Sequence, residues 1–264
     1  MKVRDTFHLY VHYVSIQVKS KMQYKASFFL SAMGQFLVSF NVFLGMLFLF
    51  MRFSAVAGFT YSQVLLCFSI FLMEFSLAEC VGRGFDTFST MVRKGEFDRV
   101  MVRPRGLVLQ VLGSRFELTR FGRMLQALVM FVYGVTKSGI RWNGAKVMTV
   151  AFMLAGGTAV FFGIFLVYAA LCFFTLEGLE VINIFTDGAR EFGKYPVGIY
   201  GESILKFCTW VVPYALVQHY PLLYLLDYRT ETWWSFVPLL ASLFLIPCYG
   251  LWRLGVRRYQ SAGS

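Results

Sequence analysis

Nucleophiles, metal ligands and acid–base pairs are the groups through which a chain does chemistry, and this sequence scatters them. His8 and His12 stand at the i,i+4 spacing that lets two imidazoles share a metal on one helical face, but no third ligand accompanies them. The plainer reading is a polar face on an interfacial helix. The five cysteines (Cys67, Cys80, Cys172, Cys208 and Cys248) occur singly, mostly inside apolar runs. Without a Cys-x-x-Cys pair they support neither a disulfide framework nor a zinc site, and they read as small apolar residues. There is no Gly-x-x-x-x-Gly-Lys-Ser/Thr loop to cradle nucleotide phosphates. His-Glu-x-x-His and Gly-x-Ser-x-Gly patterns are missing as well. We therefore expect no catalytic residue and no metal site.

Two kinds of polar residue remain. Gln35, Asn41 and Glu74 interrupt long apolar runs, where a polar group is expensive and a functional role is the default hypothesis. Gln35 and Asn41 fit hydrogen bonding between helices better than ligand contact. Glu74 has two readings of equal weight: contact with a cationic substrate on a pathway, or pairing with a basic residue, since the polar loop after it begins about a turn later. The other kind is a dense charged run, Val92-Arg93-Lys94-Gly95-Glu96-Phe97-Asp98-Arg99-Val100-Met101-Val102-Arg103-Pro104. Phe97, Val100 and Met101 share a helical face, Glu96, Asp98 and Arg99 take the other side, and Pro104 ends the turn. A short charged helix between two membrane helices suits a soluble partner that pushes on it; an ordinary basic loop that fixes topology is the alternative.

The elements that position these residues follow from composition. Of 264 residues, 58% are hydrophobic and only 15% charged. A soluble domain is about half apolar and a quarter charged. Mean hydropathy is +0.62, and the apolar residues fall in blocks that approach the roughly 20 residues a bilayer crossing needs. That excludes a soluble enzyme and a disordered chain. A membrane β-barrel is excluded too, because barrel strands alternate apolar and polar residues.

The expected fold is all-α and polytopic. An amphipathic interfacial helix occupies residues 1–25, with Phe7, Tyr10, Val11, Val14 and Val18 at helical spacing and Arg4, Asp5, Gln17 and Lys19 on the polar side. It reads as an anchor, or as an anchor that also gates lipid or braces a partner. No cleavable signal peptide is expected there. Six transmembrane helices then fill 26–260. The first is Ala26 to Met51, with Phe28, Phe29, Phe36, Phe40, Phe43, Phe48 and Phe50 suited to an apolar or aromatic pathway. The second runs from about Phe59 to Leu77. The third is short, so that Arg120 to Arg123 must snorkel to complete it, and the fourth is Val147 to about Phe174. Leu176 to Glu202, with Glu177, Glu180, Asp187, Arg190, Glu191 and Lys194, reads as an interfacial or cytoplasmic helix. The fifth crossing starts near Ile204, with Lys206 low on it, and is broken by Pro213 and Pro221. The sixth spans Trp233 to Trp252, indoles at both ends and kinks expected at Pro238 and Pro247.

Charge sets the orientation. The sequence carries 25 Lys+Arg against 14 Asp+Glu. With both termini cytoplasmic, about 20 of the 25 basic residues face inward, leaving Arg52, Lys137, Arg141, Lys146 and Arg229 outside. Dropping one crossing would invert everything after it and place Arg253, Arg257 and Arg258 outside.

The basic amphipathic start, the six crossings, the Lys94-Gly95-Glu96-Phe97-Asp98…Arg103-Pro104 loop and the Tyr195-Pro196…Val212-Pro213…Tyr220-Pro221 series together resemble an ABC-2 type exporter permease. More narrowly, they resemble the viologen- and multidrug-exporter-like branch. The resemblance covers nearly the whole chain. It implies that the cytoplasmic loop at about 82–120 carries a coupling helix, with Arg93, Lys94, Gly95, Glu96, Phe97, Asp98, Arg99, Arg103 and Pro104 docking on a separate ABC ATPase. Two ATPase copies would supply the ATP and Mg site that this chain lacks. A second permease chain, identical or the product of a neighbouring gene, would complete a central pathway. The broken segment at about 213–232 would be the re-entrant extracellular piece. The setting implied is a plasma membrane, bacterial inner membrane above all, with membrane lipid and no nucleic acid as partner. The competing reading, a self-sufficient ion-coupled secondary transporter, requires a coupling-ion site and internal repeats that the sequence does not display.

Overall fold

The computed structural model describes residues 3–175 and 181–260; Glu177, Glu180 and Ser261–Ser264 lie outside them, as do the side chains of Arg4, Asp5 and Phe7. Among the described residues every regular element is helical, and the only β pairing is one bridge between Val56 and Phe59. Four stretches are long and apolar enough to cross a membrane: Lys25–Arg52, Tyr61–Arg93, Gly144–Thr175 and Thr232–Arg258.

Helix α1 (Val3–Met22) lies across the start of the bundle. Tyr10, Val14 and Val18 are half-buried, while Val11, His8 and His12 face out. Helix α2 (Lys25–Arg52) follows, then α3 (Tyr61–Asp86), which opens on a capping box between Thr60 and Gln63. Val64 to Ser76 of α3 are all buried. A helix apolar on every side belongs at the centre, and α3 packs chiefly on α7 (Phe121–Lys137) and α8 (Gly144–Thr175). Glycines admit the close approaches. A methyl at Gly134 of α7 would come within 2.9 Å of the Leu66 Cα atom, and one at Gly157 of α8 would overlap the Glu74 carboxyl. Between α3 and α7 the chain makes α4 (Phe88–Arg93), α5 (Glu96–Met101) and α6 (Leu107–Ser114), an elbow beyond the end of α3.

The stretch after α8 corrects the expectation of an interfacial helix. Helix α9 (Val181–Phe185) touches α8, and α10 (Asp187–Phe192) lies against α3: the Arg190 guanidinium sits 5.9 Å over the Phe75 ring, and Gly193 abuts the Phe71 ring. Tyr195 and Ile199 then pack with Phe59, Val64 and Cys67, at the end of α3 opposite the elbow. Charges travel this path because they pair locally, Arg190 with Asp187 and Glu191, and Lys194 with Glu191. From there α11 (Glu202–Trp210) turns back until Phe207 stacks on Phe185. Tyr214 then bonds the Phe185 carbonyl, and α12 (Tyr214–Val217) and α13 (His219–Leu225) return to the Phe59 end. Gln218 fastens this hairpin: its amide donates to the Gly193 carbonyl (2.7 Å) and accepts from the Val197 amide (3.2 Å). Pro221 falls in the first turn of α13, where its missing N–H is not needed.

The last stretch is broken, as its prolines suggest. Two 3-10 turns flank α14 (Val237–Ala241), and α15 (Leu245–Arg258) completes it. Trp233 and Trp234 stack at one end. Trp252 departs from expectation. Rather than sitting at an interface it is 2% exposed, because four phenylalanine rings close over it.

Candidate coupling site

The elbow rests on an aromatic foot. Phe88 stands edge-on to Phe97, Phe173 and Trp252, each with centroids 5.1 Å apart. Phe97 also meets Phe173 at 5.3 Å and Tyr259 at 5.1 Å. These rings bring α4, α5, α8 and α15 to one point, in the offset and edge-to-face geometries that favour aromatic clusters. Polar ties reinforce it. The Gln110 amide donates to the carbonyls of Val100 (3.1 Å) and Arg105 (3.0 Å), and the Tyr168 hydroxyl donates to Ser89 (3.0 Å). Burial and the neighbouring Asp98 carboxylate push the Tyr259 hydroxyl up to about 12.

The tip has the opposite character. Gly95 adopts φ 65°, a left-handed conformation natural to glycine, and reverses the chain between α4 and α5. Arg93, Lys94, Glu96, Arg99, Arg103 and Pro104 are all exposed, and Asp98 is half-buried against the foot. Glu96 and Asp98 occupy the first turn of α5 and Arg99 the last, in keeping with the helix dipole. Of the expected apolar face, Phe97 and Val100 are buried. Met101 is 40% exposed and joins Val102 (83%) on the surface. The arrangement is a rigid base under a charged, outward knuckle.

Behind the elbow lies a buried polar layer that the sequence did not announce. Glu79 of α3 takes Arg123 on one carboxylate oxygen and Arg120 on the other at 3.0 Å, with Arg83 3.7 Å away. Arg120 and Arg123 also both donate to the side-chain Oε1 of Gln35 on α2 at 2.9 Å. They do not snorkel outward, as their position had suggested. Their side chains are 14% and 5% exposed and turn into the junction of α2, α3 and α7. The usable signal was the i,i+3 spacing of Arg120 and Arg123, which aims both at one side of the helix. Below this layer, Lys21 of α1 pairs with Glu117 at 2.6 Å. Burial raises the Glu117 carboxyl, but hydrogen bonds from Lys21 and Thr119 outweigh it and leave the group below its ordinary range. Gln17 adds a bond to the Ser114 carbonyl at 3.0 Å, so α1 is fastened to the far limb of the elbow.

The three polar residues inside the apolar runs do not converge. Gln35 belongs to the arginine layer. Asn41 is exposed on α2 and lines an open recess of about 290 Å³ with Gly45, Lys194 and Tyr195. Glu74 of α3 is 0% exposed, set against Gly157 of α8, and among the described residues neither carboxyl oxygen has a hydrogen-bond partner. Among the described residues no three His, Cys, Asp or Glu side chains group as metal ligands.

Comparison with known proteins gives one match. No curated protein and no solved structure matches the chain. The sequence model of one family, described as ABC-2 family transporter protein, matches residues 36–263. That match takes in the elbow, Glu79, Arg120 and Arg123, and every long apolar helix except the first part of α2, and the chain belongs to the ABC-2 family of transporter proteins.

Proposed function

We propose that this chain is the permease subunit of an ATP-driven exporter of the viologen- and multidrug-like kind. Two copies of a separate ABC ATPase bind and hydrolyse ATP with Mg, and the elbow carries their motion into the membrane helices. The observation that carries this reading is the contrast within α4 and α5. The tip is charged and exposed, while Phe97 behind it is locked among rings from α4, α8 and α15. A push on Glu96 or Arg99 therefore moves α8 and α15 together. A loop that merely satisfied the charge rule for topology would need no such foot. Coupling requires that the elbow's contacts with the ATPase differ between nucleotide states.

This reading keeps six crossings but moves the fifth: α2, α3, α7, α8, the segment 181–200 in place of the stretch expected from near Ile204, and Thr232–Arg258. Residues 202–225 form a hairpin that enters and leaves by one side. Broken backbone of this kind is tolerated at membrane depth when protein surrounds it. Both termini and the elbow then face the cytoplasm of a bacterial inner membrane. A second permease copy or homologue pairs with this one, and the substrate is a hydrophobic or cationic small molecule, a lipid or a peptide.

The test is to isolate the tagged chain from its host with any ABC ATPase that copurifies, then co-express the two and measure ATPase activity and efflux together. Glu96→Lys with Arg99→Glu reverses the tip without touching the foot. We expect folding to be unchanged, ATPase copurification or stimulation to fall at least tenfold, and transport to fall with it. Normal ATP-dependent efflux from that variant, or proton- or sodium-driven flux by the chain alone, would refute the proposal.

A further inference from the structure

The face of α15 beside the elbow carries charge that, among the described residues, meets no carboxylate. Tyr249, Trp252, Arg253, Val256 and Arg257 form one stripe at helical spacing. Together with Gly106, Leu107 and Val108 at the start of α6 they enclose a groove of about 370 Å³. Arg253 and Arg257 are exposed, and among the described residues neither has a carboxylate partner. The Glu79 layer shows what this chain does with arginines that serve its own packing: it buries and pairs them. The α15 pair is left open.

We propose that this groove binds the headgroup of an anionic phospholipid. The stripe runs from an apolar level to a charged one over the last turns of a membrane-length stretch, with Ile246, Leu251 and Leu254 exposed beside it at 68%, 48% and 46%. From Tyr249 to Arg257 the helix rises about 12 Å, the depth over which acyl chain gives way to phosphate. Guanidinium groups at i and i+4 converge on one phosphate and favour it through paired N–H donors. A soluble partner could meet the arginines, but it would not reach an apolar wall that descends toward Tyr249. Basic grooves between helices at the cytoplasmic surface hold acidic lipid headgroups by the same chemistry. Because Gly106 directly follows Arg103–Arg105, an occupied groove holds the far limb of the elbow against α15. Only the choice of the cytoplasmic leaflet rests on the proposed orientation; the binding itself does not depend on any ATPase.

The experiment uses the full chain, purified in detergent, delipidated, and titrated with phosphatidylglycerol or phosphatidylcholine under native mass spectrometry. Wild type should retain phosphatidylglycerol preferentially. Arg253→Gln and Arg257→Gln should each weaken retention about fivefold, and the double variant should abolish the preference. Arg253→Lys with Arg257→Lys should keep most of it, and Arg258→Gln, outside the groove, should leave it intact. Equal retention of both lipids by wild type, or an unchanged preference in a folded double variant, overturns the proposal. So does competition by millimolar inorganic phosphate that removes the lipid entirely, since that would identify a free-phosphate site. Loss of ATPase copurification in the glutamine pair with lipid preference intact would assign the groove to a protein partner instead, and also overturns it. The lipid readouts do not depend on whether the elbow couples ATP hydrolysis to transport, so their failure and a failure of that reading are told apart.

Discussion

Helices α2 and α3 follow one another in the chain and have nearly the same mean hydropathy, 1.8 and 2.0, yet 11% of the apolar stretch of α2 is buried against 89% of that of α3. Composition decides that each can cross a bilayer; neighbours decide how. Helix α3 is enclosed by α7, α8 and the segment around α10, and its glycine-mediated contacts leave no room for lipid. Helix α2 touches mainly α7 and turns Phe29, Leu30, Phe48 and Met51 outward, each more than 60% exposed. In lipid such exposure carries no penalty, because the acyl chains are as apolar as the side chains. The two helices meet at the Glu79–Arg123–Gln35 junction, where α2 contributes only an acceptor.

If α3 is the structural axis and α2 is not, charge removal should expose the difference most strongly. Arg123→Ala takes one of the two close arginines from the buried Glu79 carboxylate, leaving Arg120 at 3.0 Å, and should destabilise the fold by about 1.5–3 kcal/mol. Arg52→Ala, at the exposed end of α2, should change stability by less than about 0.5 kcal/mol. Thermal unfolding in detergent, followed by tryptophan fluorescence, measures both. Similar losses from the two variants would mean that α2 is as integral as α3.

Glycines sharpen the contrast at a smaller scale. Gly157→Ala places a methyl on the Glu74 carboxyl at the α3–α8 seam and should cost about 1–3 kcal/mol by overpacking. Gly45→Ala on α2 meets nothing within 4 Å and should be neutral or stabilising by up to about 1 kcal/mol, as helix propensity dictates. The same unfolding assay applies. A destabilising Gly45→Ala would put an unseen neighbour against α2 within the single chain.

The same contrast explains what could be read from the residues alone. The long apolar helices were legible because uncharged length is a property of composition: α2 and α8 run within a few residues of their expected ends. The elbow was legible because Gly95 and Pro104 punctuate a charged run, and a helix does form at Glu96–Met101. What hides is pairing. Asp187, Arg190, Glu191 and Lys194 look like a surface helix until their mutual ion pairs are seen, and only then does a path along α3 make sense. Arg120 and Arg123 look like interfacial anchors until Glu79, some forty residues earlier, is placed beside them. Trp252 carries the interfacial signature of its residue type, but four phenylalanines from distant parts of the chain override it. Asn41 reads as a group that bonds between helices, and it stands exposed at a recess shared with Gly45, Lys194 and Tyr195.

That last residue leads to the smallest effect on stability and the most direct test of what α2 is for. Gly34, Asn41 and Gly45 fall at i, i+7 and i+11 and so share a helical face, and the space beside both glycines is open. Small residues with a hydrogen-bonding side chain are what close helix contacts in lipid require. Gly45→Leu projects into the open recess beside Lys194 and Tyr195 and should change stability by less than about 1 kcal/mol. In a homodimer it should nonetheless lower copurification of two differently tagged copies several-fold, with Asn41→Leu giving a weaker loss. If wild-type copies never copurify, a homodimer through this face is ruled out, and the same variants should be compared for copurification of any other membrane chain that the wild type retains. If Gly45→Leu leaves every pairing intact, then α2 faces lipid alone, and its exposed polar residue has some other use than joining two permeases.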